Sequence, residues 1–319
     1  MTISRRKFLA TAAATASFAA FARTARASCP FRVAVINDEI SQDFDHSCYV
    51  AAHDFGLEWI ELRGMWNKNL TELPADDLER ARGILAKYKL RVTDIASPLF
   101  KVDWPGAPLS KQSERRDQFG AHDDFKKQDA LLEHCIELAK MFGTDRIRCF
   151  DFWRLDDVAP YRKAINEKLR ETAQRCARGN MILLLENEMS CNTATAEEAV
   201  ETLRAVPESN FMLNWDPGNA ATFPNSDPFP KGYDSLPKNR IGHCHAKNVV
   251  RKPDAKWEWA PVGTGVVDWA GQLRALQRDG YRYAVSLETH WRGAGTPEAS
   301  SRVSMQGLKD ALAKAGTGC

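Results

Sequence analysis

Three short apolar runs each end in a carboxylate, and a fourth ends in imidazole. Leu183-Leu184-Leu185 leads into Glu186, Leu213-Asn214-Trp215 into Asp216, and Val285-Ser286-Leu287 into Glu288, while Ile241-Gly242 opens on His243-Cys244-His245. Glu186, Asp216, His245 and Glu288 follow one another at separations of 30, 29 and 43 residues, each about one strand-plus-helix unit. A charged side chain at the end of an apolar run is costly unless it is paired or binds a metal. Three carboxylates and one imidazole suit a borderline-to-hard divalent ion: Mn, Mg, Co or Zn. Crowded without a cation, the carboxylates would repel one another and their pKa values would rise.

Such residues meet only if the intervening elements bring the strand ends together. Short apolar runs alternating with amphipathic helical patterns are the mark of βα units on a parallel sheet. The runs predict eight strands: Phe31–Ile36, Trp59–Leu62, Arg91–Ala96, Arg146–Phe150, Met181–Glu186, Phe211–Asp216, Arg240–His245 and Tyr283–Glu288. Ile165, Leu169, Ala173 and Cys176 keep helical spacing, with Gly179 placed to end that helix in a left-handed conformation. Thr195-Ala196-Glu197-Glu198 reads as a capping box, and Asp268 as the cap of a helix carrying Leu273 and Leu276, with Gly280 beyond its end. The longest irregular stretches, Trp104–Asp124 and Phe223–Pro237, follow strand ends, where barrel insertions build active sites. The expected fold is therefore α/β: one (β/α)8 barrel over residues 28–319. A doubly wound sheet competes, but no Gly-rich phosphate-binding turn follows the first strand.

Several motifs add a family resemblance. Gly56-Leu57-Glu58-Trp59-Ile60-Glu61-Leu62-Arg63 resembles the G-x-x-x-I-E-L-R of the xylose isomerase-like TIM-barrel family of sugar isomerases and epimerases, to which endonuclease IV is related. Leu185-Glu186-Asn187-Glu188 resembles its L-E-N-H, His243-Cys244-His245-Ala246-Lys247-Asn248 its H-x-H-x-K-D, and Val262–Trp269 its G-x-G-x-[IV]-[DP] segment. The resemblance covers essentially the whole chain after residue 27. It implies one divalent metal ion held by Glu186, Asp216, His245 and Glu288, with His245 chosen because the family's ligand is the second imidazole. His243, on the same face by period-2 alternation, is expected one layer deeper. Arg251 matches a substrate-binding arginine of the ketose 3-epimerases. Departures fall in the substrate shell: Asn219 stands where those epimerases have His, Asn192 where they have Glu, Glu188 replaces the His of L-E-N-H, and Asn248 the Asp of K-D.

The expected chemistry is proton transfer next to a carbonyl, with the ion acidifying the α-proton and Glu186 and Glu288 removing and returning it from opposite faces. Asn219, Lys247, His290 and Trp291 join Arg251 as candidate substrate contacts. Lys247 is expected to pair with an anionic substrate group or with Glu188, and Trp291 to stack on a sugar ring. Trp153, Trp257 and Trp259 lie near the mouth. His46, His53, His122 and His134 fall in helical or loop segments that need no functional reading. The leading expectation is a metal-dependent sugar isomerase or epimerase acting on a carbohydrate or polyol-derived ketone. The alternative is a lyase, dehydratase or hydrolase acting on oxidised (keto) sugars or glycosides. An endonuclease IV-like nuclease would need more histidines, and a non-catalytic sugar-binding barrel would not need opposed glutamates.

Composition bounds the partners. Of 319 residues, 44 are Lys or Arg and 42 Asp or Glu, a formal charge of +2. Five of the basic residues and none of the acidic ones lie in the first 27, so the remainder carries a formal −3. That balance offers nothing to nucleic acid or an anionic membrane and leaves a small-molecule carbohydrate partner, with homo-oligomerisation open. The excess sits in Ser4-Arg5-Arg6-Lys7-Phe8-Leu9, followed by an Ala- and Thr-rich stretch to Ala22 and the small-x-small Ala25-Arg26-Ala27. This reads as a twin-arginine secretory signal, which exports folded proteins to the periplasm. The eight cysteines contain no C-x-x-C. Most are expected to be buried small hydrophobes, with one bridge involving Cys29 or Cys319 near the ends left open. Cleavage after Ala27 is the expected outcome, so N-terminal sequencing of periplasmic protein should begin at Ser28. Full-length protein confined to the cytoplasm of an export-competent cell would reject the signal.

Overall fold

The computed structural model describes residues 29–111, 113, 124–223, 225–253 and 256–319. The signal expected over residues 1–27, His122 and most of the 104–124 stretch lie outside them.

Eight parallel strands form the barrel: β1 Arg32–Val35, β2 Trp59–Leu62, β3 Arg91–Leu99, β4 Arg146–Cys149, β5 Ile182–Glu186, β6 Phe211–Trp215, β7 Ile241–Ala246 and β8 Ala284–Leu287. Each is hydrogen-bonded to its sequence neighbour from β2 round to β8, and β8 pairs with β1. The ring is nearly closed, with β1 and β2 joined by an isolated parallel bridge between Ile36 and Glu61. Helices follow the strands on the outside: α1 Phe44–Tyr49, α2 Ala75–Tyr88, α3 Gln128–Met141, α4 Arg162–Arg178, α5 Ala196–Ala205, short α6 Pro217–Ala221 and α7 Tyr233–Ser235, α8 Trp269–Arg278 and α9 Pro297–Ala315. Among the described residues no helix is long and apolar enough to cross a membrane.

The strands are buried along both faces, as a parallel sheet under helices requires. Leu183, Leu185, Leu213, Trp215, Cys244, Val285 and Leu287 belong to the hydrophobic core. Strand alternation sends the intervening residues Glu186, Asn214, His243, His245 and Ser286 to the opposite face, inside the barrel. Register then aligns the ends: Glu186 lies opposite Asn214 and Ser286 opposite His245. Two antiparallel hairpins, Gly64–Met65 with Lys68–Asn69 and Asn248–Arg251 with Trp257–Ala260, decorate the strand-end face after β2 and β7.

Thr195 and Glu198 form the reciprocal capping box at α5, and Asp268 accepts from the Gly271 N–H at the start of α8. Two local expectations fail. Gly179 has φ −89°, and the left-handed residue after α4 is Asn180 at φ +57°. Asn tolerates that region through its short polar side chain. Gly179 instead provides room, since a Cβ there would lie 3.2 Å from Ile136 Cγ2. The Phe223–Pro237 stretch is not irregular throughout: it contains α7, and the Gly232 N–H just before it donates to Asp227 O at 2.8 Å.

Cys29 and Cys319 form a disulfide with Cα atoms 4.4 Å apart, closing a separation of 290 residues. The other six cysteines are free and buried. A bridge spanning nearly the whole described chain restricts the unfolded ensemble strongly. Cys29→Ser with Cys319→Ser should therefore lower stability by ~2–4 kcal/mol. Urea denaturation with and without reductant checks this; a double variant unfolding at the parent midpoint would contradict it.

Candidate metal centre and active site

The strand ends bring Glu186, Asp216, His245 and Glu288 into one buried cluster, with a potential ligand atom from each lying within 4.8 Å of the others. Glu186 ends β5. Asp216 is the first residue after β6 and caps α6, where its Oδ1 accepts from the Asn219 N–H at 2.9 Å. Glu288 is the first residue after β8, and its N–H donates to Ala246 O at 3.1 Å. His245 occupies the centre: its Nδ1 lies 3.4 Å from Glu186 Oε1, 3.8 Å from Asp216 Oδ2 and 3.2 Å from Glu288 Oε2.

Each of the two glutamates has one oxygen tied by a buried arginine. Arg148 Nη1, from β4, donates to Glu186 Oε2 at 3.0 Å. Arg63 Nη1, just after β2, donates to Glu288 Oε1 at 2.6 Å. The other oxygens, Glu186 Oε1 and Glu288 Oε2, face His245. Arg63 also holds Asp38 and Glu39, at 2.9 and 2.8 Å. Burial pushes the Glu186 carboxyl up, but His245 and Arg148 outweigh it and bring it down to about 2. At Asp216 burial wins over the pull of Lys247, and the carboxyl is pushed up to about 6. Burial opposes charge on His245 as well, yet Glu61, Glu186 and Glu288 hold its pKa well above the usual imidazole value.

The donor set fits a divalent cation. Asp216 Oδ2 and Glu288 Oε2 are buried and receive no directed hydrogen bond; both lie at ion-pair distance from Lys247 Nζ, 2.9 and 2.6 Å. Two oxygens of this kind, Glu186 Oε1 and an imidazole Nδ1 converge on one point, which is the hard-to-borderline donor set that such ions prefer. The remaining ring nitrogen is already occupied, since His245 Nε2 lies 3.0 Å from Glu61 Oε1. A carboxylate there fixes the tautomer that leaves Nδ1 free for a metal.

Beneath the cluster, Glu61 Oε2 meets His243 Nε2 at 3.1 Å, and His243 Nδ1 lies 3.5 Å from Asp94 Oδ1. His243 thus sits one layer deeper. Glu61, Arg63, Asp94 and Arg148 were assigned no role from sequence. The Ile-Glu-Leu-Arg run contained a signal for two of them, a buried strand with charge on consecutive inward positions.

The candidate substrate contacts divide. Asn219 Nδ2 donates to Glu186 Oε1 at 3.3 Å and to Asn187 O at 2.9 Å, and its Oδ1 accepts from Lys247 Nζ at 3.1 Å. Lys247 is fully buried and pairs with Asp216 and Glu288; Glu188, one of its two expected partners, faces Lys101 at 3.7 Å instead. The turn of chain after β7 points Lys247 inward over Gly218, where a Cβ would clash with it. Arg251 is not brought to the cluster. It lies on the second hairpin, and its guanidinium donates to the carbonyls of Ala221, Phe223 and Ser226, fixing that loop. His290, held at φ +45°, places Nε2 3.2 Å from Glu288 Oε1 and 3.5 Å from Glu39 Oε1, with its ring edge-on to Trp259. Trp291 is half-buried, its indole folded over Gly293.

Arg63 carries three buried carboxylates. Breaking a buried pair leaves uncompensated charge and costs about 3–5 kcal/mol. Arg63→Met should therefore lower the urea midpoint by that equivalent with little change in slope; a parent-like midpoint would show that the carboxylates do not depend on it.

Comparison with known proteins places this architecture. The family model described as a xylose isomerase-like TIM barrel matches residues 50–311. A 3-dehydroshikimate dehydratase from Bacillus anthracis is 27% identical over 233 residues, 68% of this chain and 73% of that protein. The crystal structure of a xylose isomerase-like TIM barrel protein from Mycobacterium smegmatis in complex with magnesium superposes with a TM-score of 0.64 at 17% identity, covering 91% of this chain and 99% of that one. The 3-keto-D-glucoside 4-epimerase of E. coli does so at 0.62 and 15%, covering 88% and 99%. Relatives of this fold thus include enzymes of two classes, an epimerase and a dehydratase. The chain belongs to the xylose isomerase-like TIM barrel family.

Proposed function

We propose that this protein is a metal-dependent enzyme that transfers a proton at the carbon next to a carbonyl of a carbohydrate or polyol-derived ketone, as an isomerase or epimerase. The observation that carries the reading is the pair of arginine-clamped glutamates facing each other across His245. Glu186, Asp216, His245 and Glu288 would hold one divalent ion, Mn, Mg, Co or Zn. When bound, it supplies Lewis acidity to a substrate carbonyl and its neighbouring hydroxyl, which acidifies the adjacent C–H.

The chain's own groups do the rest. Arg148 and Arg63 fix one oxygen of each glutamate, so Glu186 Oε1 and Glu288 Oε2 present their lone pairs in set directions from the ends of β5 and β8, with His245 on β7 between them. One takes the proton and the other returns it, and return from the opposite side inverts the carbon. Glu61 keeps the His245 ring oriented. His290, half-exposed beside Glu288, contacts substrate at the rim, and Trp291 flanks it. The exported location is part of the proposal. A disulfide between Cys29 and Cys319 supports an oxidising compartment.

A second reading has one observation in its favour, the 27% identity to a dehydratase over 68% of the chain. In a lyase, one glutamate removes the α-proton, the electron pair forms the double bond, and the β-hydroxyl departs as water once another group protonates it.

Substitution of the glutamates tests both. Glu→Gln retains volume and a ligating oxygen but is no carboxylate base. With metal resupplied, Glu288→Gln should lose ~10²–10⁴-fold in kcat, together with deuterium uptake from D2O into keto-sugars. An epimerase should lose as much in Glu186→Gln, whereas a lyase should depend on one glutamate far more than the other. Asp216→Ala and His245→Ala should bind well below one equivalent of metal. Near-normal turnover in both Gln variants at equal metal occupancy would remove these glutamates from the chemistry.

A further inference from the structure

Glu61 orients the His245 ring, and its own support is a residue that the proposed chemistry leaves unused. Glu61 lies on β2, while His243 and His245 lie on β7, strands separated by β1 and β8 in the ring. No strand ladder joins β2 to β7, so their contacts are made by side chains crossing the barrel interior. All three residues are fully buried. Glu61 Oε1 lies 3.0 Å from His245 Nε2, and Oε2 lies 3.1 Å from His243 Nε2. Among the described residues, the Glu61 carboxyl hydrogen-bonds these two imidazoles alone. A carboxylate only accepts, so each ring donates one N–H to it. The rings stand at 89° with centroids 5.2 Å apart. Neither stacks on the other; the carboxylate between them is what couples them.

His243 is gripped from its other side as well. Between the paired positions Ile60–Val92 and Leu62–Ile95, β3 carries two residues, Thr93 and Asp94, where β2 carries Glu61 alone. An extra residue of this kind re-aims a side chain. Thr93 Oγ donates to Asp94 Oδ1 at 2.8 Å, and the same oxygen lies 3.5 Å from His243 Nδ1. The His243 ring therefore has a carboxyl group at each nitrogen, Glu61 at Nε2 and Asp94 at Nδ1.

A buried carboxylate oxygen without a partner is costly, and Glu61 Oε2 would be such an oxygen without His243. The carboxylate would turn toward another donor and release the His245 Nε2–H. His245 Nδ1 would then lose its fixed direction toward Glu186, Asp216 and Glu288, whose oxygens lie 3.4, 3.8 and 3.2 Å from it.

We propose that His243 is a positioning residue: it fixes Glu61, and Glu61 fixes the His245 ring with Nδ1 toward the three carboxylates. The consequence for metal affinity rests on the functional reading above; the orientation of the ring does not. A histidine that merely fills the core would affect stability alone, whereas a positioning one acts through a single N–H.

The test compares three variants of the full mature chain by two readouts. His243→Gln can present its amide N–H where Nε2–H stands, His243→Asn is too short to reach Glu61, and His243→Leu has no donor. In a Mn2+ titration followed by the paramagnetic resonance of the free ion, the Leu and Asn variants should bind about 10–100-fold more weakly. That is the usual effect of losing the outer support of a metal-ligating imidazole. The Gln variant should stay near the parent. In metal-free protein, imidazole-proton NMR should show the His245 Nε2–H protected from exchange in the parent and the Gln variant, and unprotected in the other two. Should His243→Leu fail to fold, His243→Asn carries the comparison. Parent-like Mn2+ affinity in the Leu and Asn variants, or a Gln variant no better than they are, would overturn the proposal. If the parent binds no Mn2+, the metal reading falls and the imidazole signal decides: loss in Leu and Asn with retention in Gln sustains the positioning role. Mn2+ binding with an unmoved His245 signal in all three variants overturns it and leaves the metal reading intact.

Discussion

Charge compensation inside the barrel is the constraint on which this structure depends. Glu39, Glu61, Glu186, Asp216 and Glu288 are all nearly or fully removed from water, where an isolated carboxylate is far too costly to remain ionised. Arg63 and Arg148 offset that cost for Glu39, Glu186 and Glu288, and because a guanidinium is planar with donors in fixed directions, they also dictate orientation. Arg63 reaches three carboxylates from three directions. The same contacts that make burial tolerable therefore aim the two glutamates. A lysine in either place would neutralise without aiming.

Geometry of this kind requires the closed ring. Arg63 follows β2 and Glu288 follows β8, strands with β1 between them, and the pair can meet only because the sheet curves back on itself. The isolated Ile36–Glu61 bridge lies at that seam, and Glu61 extends from it to both imidazoles of β7. Seam and site share a residue, so the place where the strand ladder is weakest is stitched by the polar network under the cluster.

What the sequence made legible follows from distance along the chain. Glu186, Asp216, His245 and Glu288 could be picked out because each ends its own apolar run, a local signal repeated once per βα unit. All eight strands were legible for the same reason, and the Thr195 and Asp268 caps because capping acts within three residues. The arginine clamps were not: Arg148 and Glu186, or Arg63 and Glu288, are paired by barrel closure, and an arginine within an apolar strand carries no mark of its partner. Nor were the partners of Lys247, Asp216 and Glu288, because its direction depends on how the chain turns after β7. The Gly179–Asn180 exchange shows the same limit at short range. Either residue can adopt the left-handed conformation, and contact with Ile136 on another helix decides which one is needed for its small size.

The Cys29–Cys319 bridge makes the described chain a covalent ring. In a linear barrel, a single backbone cut in a surface loop yields two fragments that can separate; here the same cut between Cys29 and Cys319 leaves them joined in one molecule. The barrel can thus be nicked once without losing any strand, and reassembly stays intramolecular. With Cα atoms 4.4 Å apart, Cys29 and Cys319 are close enough to be joined through the backbone and the chain reopened elsewhere. The order in which the βα units are synthesised is therefore separable from the order in which they stand around the ring.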